Sequence, residues 1–377
     1  VLFWFLVLPG PAGAVLYRTT VLLVDEWRGS VPGDETTPLL RVASPGRRVP
    51  WGDRSALMTL LAILAALGLE QWRAFEWRAG AERWFVGLAR RLERQLNGGT
   101  AGQGAVATAL ALLPPALIAA GVWWLADRLH PALGLVWNTL VLYLLMGFRR
   151  FSHAVSAIVQ AFKDSDIGAA RRALAGWRGG FTSELSSDDV ARLAIERGLT
   201  DAYRQVFAVL FWFLVLPGPA GAVLYRTTVL LVDEWRGSVP GDETTPLLCS
   251  RAEFGKPART LLDLLDWIPV RLTALGFAIV GDFEDAAYCW RMQAKTWPAA
   301  EGGEATGIIL ATGAGALGVQ LGGPVAVLGG VPHLRPEIGM GDVATPEVLP
   351  SAVGLVWRAL VLWLVLILLI TLANWAP

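Results

Sequence analysis

The sequence predicts an all-α integral membrane protein with about 4–6 transmembrane helices and amphipathic cytoplasmic helices between them. Three observations predict it. Of 377 residues, 54% are hydrophobic and only 17% charged, against about 25% charged in a soluble domain, and mean hydropathy is +0.48. The chain carries 18 tryptophans, a residue suited to the membrane–water boundary. Finally, several apolar runs approach the roughly 20 residues that a helix needs to cross a hydrocarbon core of about 30 Å.

Lys plus Arg equals Asp plus Glu, 32 each, so no overall field attracts nucleic acid. Cys249 and Cys289 stand alone, without metal-site spacing or a disulfide framework. No protein metal site is expected.

Five segments are candidate spans. Ser55–Leu69 is short and runs into the charged stretch Glu70–Arg94. Ala105–Ala126 is longer, with Pro114 and Pro115 expected to kink it. Ala132–Phe148 follows after only DRLHP, which predicts a tight helical hairpin. Val206–Val232 is interrupted by Pro217-Gly218-Pro219, read as a kinked span in preference to a re-entrant pair of half-helices. Val353–Ala373 is the clearest span, with Arg358 near its start able to snorkel.

Between these lie two basic stretches. Glu70–Asn97 places Trp72, Phe75, Trp84, Phe85, Leu88 and Leu92 at helical spacing. Arg149–Arg204 carries nine Arg or Lys and reads as two or three helices broken at Gly179-Gly180. Both join the same hairpin from the same side, and their arginine excess assigns that side to the cytoplasm. Further on, Lys256–Ile268 is helical in pattern and Leu272–Val280 is apolar but short. Ala305–Gly330 is Gly-rich, with a small-xxx-small step at Gly318–Gly322, and Pro332–Pro350 reads as an exposed loop.

Val1–Leu40 and Val209–Leu248 are letter-for-letter identical. An old repeat drifts, because each copy packs against different neighbours, and nothing else recurs. Residues 1–57 are therefore read as a duplicated leader plus basic linker, with Met58 as a plausible start, and 58–377 as the working membrane domain. Deleting 1–57 is expected to leave folding and insertion intact.

Phosphate-loop, HExxH and G-x-S-x-G signatures are missing, and His130, His153 and His333 are dispersed. What remains are charged groups beside apolar runs, where desolvation makes an unpaired charge expensive. In LDLLDWIPVRL, Asp263 and Asp266 share a helical face, Pro269 is expected to end the helix, and Arg271 then sits near the carboxylates. Glu196, in DDVARLAIERG, is a candidate general base or ligand. Tyr225-Arg226 lies inside an apolar run, with Asp233 and Glu234 about two turns on. For each, a plain cap, salt bridge or solvated charge is the competing reading.

Four stretches resemble the membrane-protein superfamily that contains CobD/CbiB and AmpE: MTLLAILAALGLEQWRAFEWR, FTSELSSDDVARLAIE, LFWFLVLPGPAGAVLYR and LLDLLDWIPVRLTAL. GALGVQLGGP, Gly315–Pro324, is similar to the CobD/CbiB branch. The resemblance covers Met58 to about Pro377. Asp263, Trp267, Pro269, Arg271, Gly322 and Gly323 match its pattern. Departures are concentrated among polar positions: Gly179–Leu185 lacks the Arg-Asp pair of GRDTS-x-L, RGLTDAYRQ lacks the Asn of the ESLAEN-type segment, and Tyr225–Asp233 lacks the Asn of YR-x-x-NTLDSM. The Pro-Asn before the Gly-rich motif is absent around Glu304–Gly307.

The resemblance implies a cobalamin-pathway protein of the bacterial inner membrane. The activity of that branch is ATP- and Mg²⁺-dependent amide ligation of aminopropanol, or its phosphate, to a corrinoid carboxylate. On that reading Glu196, Asp263 and Arg271 carry the chemistry. Thr182, Tyr225, Arg226, Asp266, Trp267, Gly322 and Gly323 would bind substrate. Glu196 would take the amine's proton, and Arg271 would stabilise phosphoryl charge. The alternative is an AmpE-like, non-enzymatic signalling or partner protein, acting on other membrane proteins and needing no cofactor. The partners expected are the lipid bilayer, a corrinoid intermediate and other membrane proteins.

Overall fold

The computed structural model describes residues 53–375, apart from 73–76, 180–181, 183, 217, 236–245 and 326–332. Of the leader expected over 1–57, residues 1–52 lie outside the described residues, whereas 53–57 already belong to the first described helix, which begins at Asp53 and not at Met58. The described residues form thirteen α-helices and one small sheet. The helices are α1 (Asp53–Trp72), α2 (Trp77–Leu96), α3 (Ala101–Leu129), α4 (Pro131–Leu145), α5 (Phe148–Lys163), α6 (Ile167–Arg178) and α7 (Ser187–Ala202). There follow α8 (Ala208–Val215), α9 (Ala220–Trp235), α10 (Pro246–Val280), α11 (Phe283–Gln293), α12 (Gly303–Leu317) and α13 (Leu349–Trp375).

Two helices are long and apolar enough to cross a membrane, Ala101–Leu129 and Pro346–Ala373. Only 28% and 33% of their most apolar windows are buried inside the protein, whereas the core helix of a soluble protein is mostly buried. Leu110, Leu117, Ile118 and Leu125 on α3, and Val361, Leu369 and Ile370 on α13, face outward. A belt of this kind is stable against lipid and unstable against water. Two shorter apolar helices, Leu57–Gln71 and Pro131–Leu145, stand beside them.

The expected hairpin is present. His130 ends α3 and caps α4, its ring nitrogen accepting from the Ala132 N–H at 3.2 Å, with Pro131 in the first turn, where its missing N–H costs nothing. Trp137 donates to the Ala119 carbonyl at 3.1 Å and ties the two helices together. Pro114 and Pro115 lie within α3 without ending it.

Four expectations need correction. Val206–Val232 is not a lipid-facing span. It forms α8 and α9, and α9 is enclosed by α2, α3, α8 and α10, with Ala222, Tyr225, Thr228 and Leu231 fully buried. The chain reverses sharply between α8 and α9 instead of kinking, and Pro217 itself lies outside the described residues. A Cβ on Gly221 would fall 2.2 Å from the Trp212 carbonyl, although nine residues of straight helix extend about 13 Å. Pro269 does not end its helix. Both Pro257 and Pro269 sit inside α10, whose packing against α3, α9 and α12 outweighs the lost backbone bonds.

The fourth correction concerns the Gly-rich stretch and the supposed loop after it. Gly318 closes α12 in the left-handed conformation, and Val319–Gly322 is strand β1, so Gly318–Gly322 is not a helix-packing step. Pro332–Pro350 contributes β2 (Glu337–Gly339), antiparallel to β1, and β3 (Asp342–Val343), parallel to it. Gln320 pairs with Gly339, Leu321 with Ile338 and Gly322 with Glu337. The strands have one effect: they hold Val319–Gly322 against α7.

Candidate functional site

Helix α7 begins with a capping box. The Ser186 hydroxyl accepts from the Asp189 N–H, and the Asp189 carboxylate accepts from the Ser186 N–H. That start fixes the helix phase and turns Glu196 inward among Leu193, Ala194 and Ile195, leaving it 6% exposed. A buried carboxylate needs partners, and Glu196 has them. Its Oε1 accepts from the Gly322 N–H at 2.8 Å and from Arg335 Nη2 at 3.1 Å, while Oε2 accepts from Arg335 Nη1 at 2.8 Å. Gly322 is at φ +80°, and a Cβ there would lie 2.1 Å from the Pro336 carbonyl, so only glycine lets the strand end present its N–H in this place.

Arg335 is the hub. Besides Glu196, it donates to the Gly323 carbonyl at 3.2 Å and to Glu301 Oε2 at 3.3 Å, and its guanidinium stands over the Trp297 ring at 5.3 Å. Burial pulls its pKa down, but Glu196 and Glu301 more than offset this and leave it raised. Glu301 Oε1 meets His333 Nε2 at 2.8 Å. The His333 backbone is pinned by paired hydrogen bonds with Val325, and its side chain is 39% exposed. Arg178, at the end of α6, faces Glu196, Arg335 and Glu301; burial is the main cause of its lowered pKa. Among the described residues it has no ion-pair partner within 4 Å.

A second polar group lies deeper. Asp266 is 3% exposed and accepts from the hydroxyls of Tyr203 at 2.5 Å and Tyr225 at 2.8 Å. Tyr203 opens a five-residue π-turn, Tyr203–Phe207, between α7 and α8, closed by the Ala208 N–H on the Tyr203 carbonyl. Arg204 pairs with Asp233 at 3.7 Å and faces Asp266. Arg271 pairs with Glu304 at 3.7 Å and stacks on Trp267 at 4.6 Å.

The turn from Pro298 to Glu304 joins the two groups. Glu301 belongs to the first and Glu304 to the second. Between them Gly302, at φ +111°, packs so closely that a Cβ would lie 2.1 Å from Thr306 Oγ1 and 3.4 Å from Arg204.

Of the residues singled out from sequence, the structure brings Glu196, Gly322 and Gly323 together in the outer group, and Tyr225 and Asp266 in the inner one. Arg271 reaches Glu304 instead of Asp263 or Asp266. Asp263 itself is exposed while Asp266 is buried, so the expected carboxylate pair is split across the side of α10. Arg226 points to α2, where it pairs with Glu82 at 2.7 Å. Thr182 donates to the Arg171 carbonyl, a loop anchor, and Trp267 is an exposed platform for Arg271. Glu196, a candidate general base or ligand from the sequence, has both oxygens engaged by Arg335 and the Gly322 N–H. Sequence reasoning missed Arg335, Glu301, His333 and Tyr203. Only a strand pattern in HLRPEIG could have placed Arg335 on the inner side of β2's approach.

Two helices of membrane-spanning length with apolar faces turned outward, and a buried cluster of arginines and carboxylates packed within the helical bundle, define the class of protein, a helical membrane protein. The family model described as CobD/Cbib protein matches residues 62–356. A cobalamin biosynthesis protein CobD of Stutzerimonas stutzeri is 35% identical over 83% of this chain and 98% of its own length. Proteins of the same name from Chromobacterium violaceum (38% over 69% of this chain and 77% of its own) and Photorhabdus laumondii (28% over 72% and 85%) are also similar. No solved structure matches. The chain belongs to the CobD/CbiB family of cobalamin biosynthesis.

Proposed function

We propose that this protein is a multi-pass enzyme of the bacterial inner membrane. In this reading it forms an amide between a corrinoid side-chain carboxylate and the amine of aminopropanol or its phosphate. The outer cluster carries the reading. It combines arginines able to receive anionic groups with a half-exposed carboxylate–histidine pair able to handle a proton. Relatives named for cobalamin biosynthesis support the pathway.

In this reading Arg335, held by Glu196 and Glu301, and Arg178, without an ion-pair partner among the described residues, receive the phosphate or carboxylate of the ligands. Glu196 keeps Arg335 and the Gly322–Gly323 turn in register and is not itself the acceptor of a proton. Arg271 and Trp267 extend the binding surface along α10.

The family reading also brings ATP and Mg²⁺. Among the described residues no group of three or more His, Cys, Asp or Glu is placed to hold a metal. The carboxylates of the cluster each face an arginine, a histidine or a tyrosine. Mg²⁺ commonly travels on nucleotide phosphates with few protein ligands. The described residues build no resident metal site, and no step here runs through one.

The test is complementation of a corrinoid auxotroph lacking its synthase, with the whole chain and with Arg335→Met and Glu196→Gln. Growth with the wild type and loss with both variants supports the enzyme. Growth with neither wild type nor variants, despite protein in the membrane, favours the AmpE-like, non-enzymatic reading, which the lost polar motifs of Gly179–Leu185 and Tyr225–Asp233 support.

A further inference from the structure

Which group accepts the proton of the attacking amine is not settled by family membership, and the cluster's geometry points to one residue. An amine arriving at neutral pH is an ammonium ion with no lone pair, so the reaction needs a base that is exposed, unsaturated and oriented. Glu196 is 6% exposed, and its two oxygens already take three hydrogen bonds. Asp266 lies deep and accepts from two tyrosines. Asp263 lies on the exposed side of α10 and is not part of the cluster that gathers Glu196, Glu301 and Arg335. Each fails one of the three requirements.

Histidine is the side chain suited to this work near pH 7. The chain has three, and two are committed elsewhere: His130 caps α4, and His153 accepts from Arg149 Nε at 2.9 Å. His333 differs from both. Its Nε2 is engaged by Glu301 at 2.8 Å, its Nδ1 has no partner among the described residues, and its backbone is fixed on both sides by Val325. A carboxylate on one ring nitrogen selects the tautomer, leaving the other nitrogen's lone pair free, and steadies the imidazolium that forms. The charged groups facing this pair are Arg335 beside it, Glu196 from α7 and Arg178 from α6.

We propose that His333 is the general base of the amide-forming reaction and that Glu301 is its positioning residue. The inference rests on the function proposed above. In the step, an N–H bond of the substrate ammonium breaks and an N–H bond forms at His333 Nδ1. The lone pair released on the amine then attacks the carbonyl carbon of the corrinoid carboxyl group, already converted by a nucleoside triphosphate to an acyl phosphate: the C–N bond forms, the C–O bond to phosphate breaks, and inorganic phosphate leaves. Glu301 stays ionised throughout.

The test uses the full chain in membrane vesicles, measuring amide formation against pH with aminopropanol phosphate as the amine. His333→Asn is expected to lower the turnover by about 10²- to 10⁴-fold, to leave the KM for the amine within about threefold, and to abolish the acid limb of the rate–pH profile. Glu301→Gln is expected to keep that limb with a plateau lowered about tenfold. Added imidazole should restore part of the rate to His333→Ala. If His333→Asn does not accumulate, imidazole resonances of the wild type, assigned with His130→Asn and His153→Asn, carry the test. Titration of His333 along the acid limb supports the role, and a His333 that does not change charge across that limb overturns it. An active wild type whose His333→Asn variant keeps its rate and its acid limb overturns this assignment alone. A wild type that forms no amide overturns the function, and the role of His333 with it.

Discussion

The outer cluster around Arg335 and the inner cluster around Asp266 use similar residue types and are built in opposite ways. The inner carboxylate, Asp266 on α10, is held by two tyrosines from other segments, Tyr203 just after α7 and Tyr225 on α9. Its partners are neutral hydroxyls and it is almost closed to solvent. The outer carboxylates are met by an arginine and a histidine on extended chain, beside a strand end and a short turn. One cluster therefore depends on helix packing, and the other on a few segments of backbone that can move without unfolding the bundle. Chemistry that must admit a ligand belongs to the second kind of construction, and the first kind serves to hold it steady.

The largest effect should come from Arg335→Met. It strands Glu196 and Glu301 in a buried site, at a cost of about 3–5 kcal/mol, seen as loss of folded protein in detergent thermal melts and loss of complementation. If Arg335→Met melts like the wild type, the outer cluster is not built as described. Asp266→Ala comes next. It leaves the Tyr203 and Tyr225 hydroxyls without an acceptor, at about 1–3 kcal/mol each, and Tyr203→Phe/Tyr225→Phe in the same background should recover much of the loss. Activity abolished by Asp266→Ala with an unchanged melt would move the chemistry inward and reverse the comparison.

Gly302→Ala tests the turn between the clusters. With φ +111° and Thr306 Oγ1 at 2.1 Å from the new Cβ, it should cost about 1–3 kcal/mol and lower activity through both sites, measured as coupled falls in melting temperature and rate. Arg178→Gln should leave the melt within about 1 °C, since the site breaks no ion pair, and raise the KM for a phosphorylated amine about tenfold, worth about 1.4 kcal/mol. The smallest effect concerns Cys289 on α11, whose thiol burial, aided by the Asp285 charge, pushes up to about 11. The sign is simple: the thiol stays protonated in the folded state until pH nears that value, so alkylation at pH 8 in a Cys249→Ser background should be far slower than for a free thiol. Rapid alkylation would mean that the layer behind the outer cluster opens often.

How much of this was legible in the sequence follows the same division. Helical periodicity and hydropathy pointed to α3, α4, α13 and the hairpin at His130, because those elements are fixed by local pattern. Glu196 and Asp266 were visible as charges stranded beside apolar residues, and Gly322 through a glycine-rich motif. Arg335, Glu301 and His333 were not visible. Their meeting with Glu196 depends on a strand pairing of Gly322 with Glu337 that no periodic signal announces, and on contacts more than a hundred residues apart in the chain. Pro269 misled for a related reason: the local rule that a proline ends a helix yields when neighbours on several sides already hold the backbone in place.

The wide turn at Tyr203–Phe207 has one residue more than an ordinary helical turn. Each residue of an α-helix advances the chain by about 100°, so tightening this turn would swing everything ahead of it, Glu196 included, around relative to the apolar segment that follows. The protein thus carries a spacer that sets the azimuth of the helix bearing Glu196 relative to the apolar α8. Deleting one residue here should let the turn close to an ordinary helical one with the two halves still in phase, whereas deleting one residue within α7 should swing its start round by about 100°.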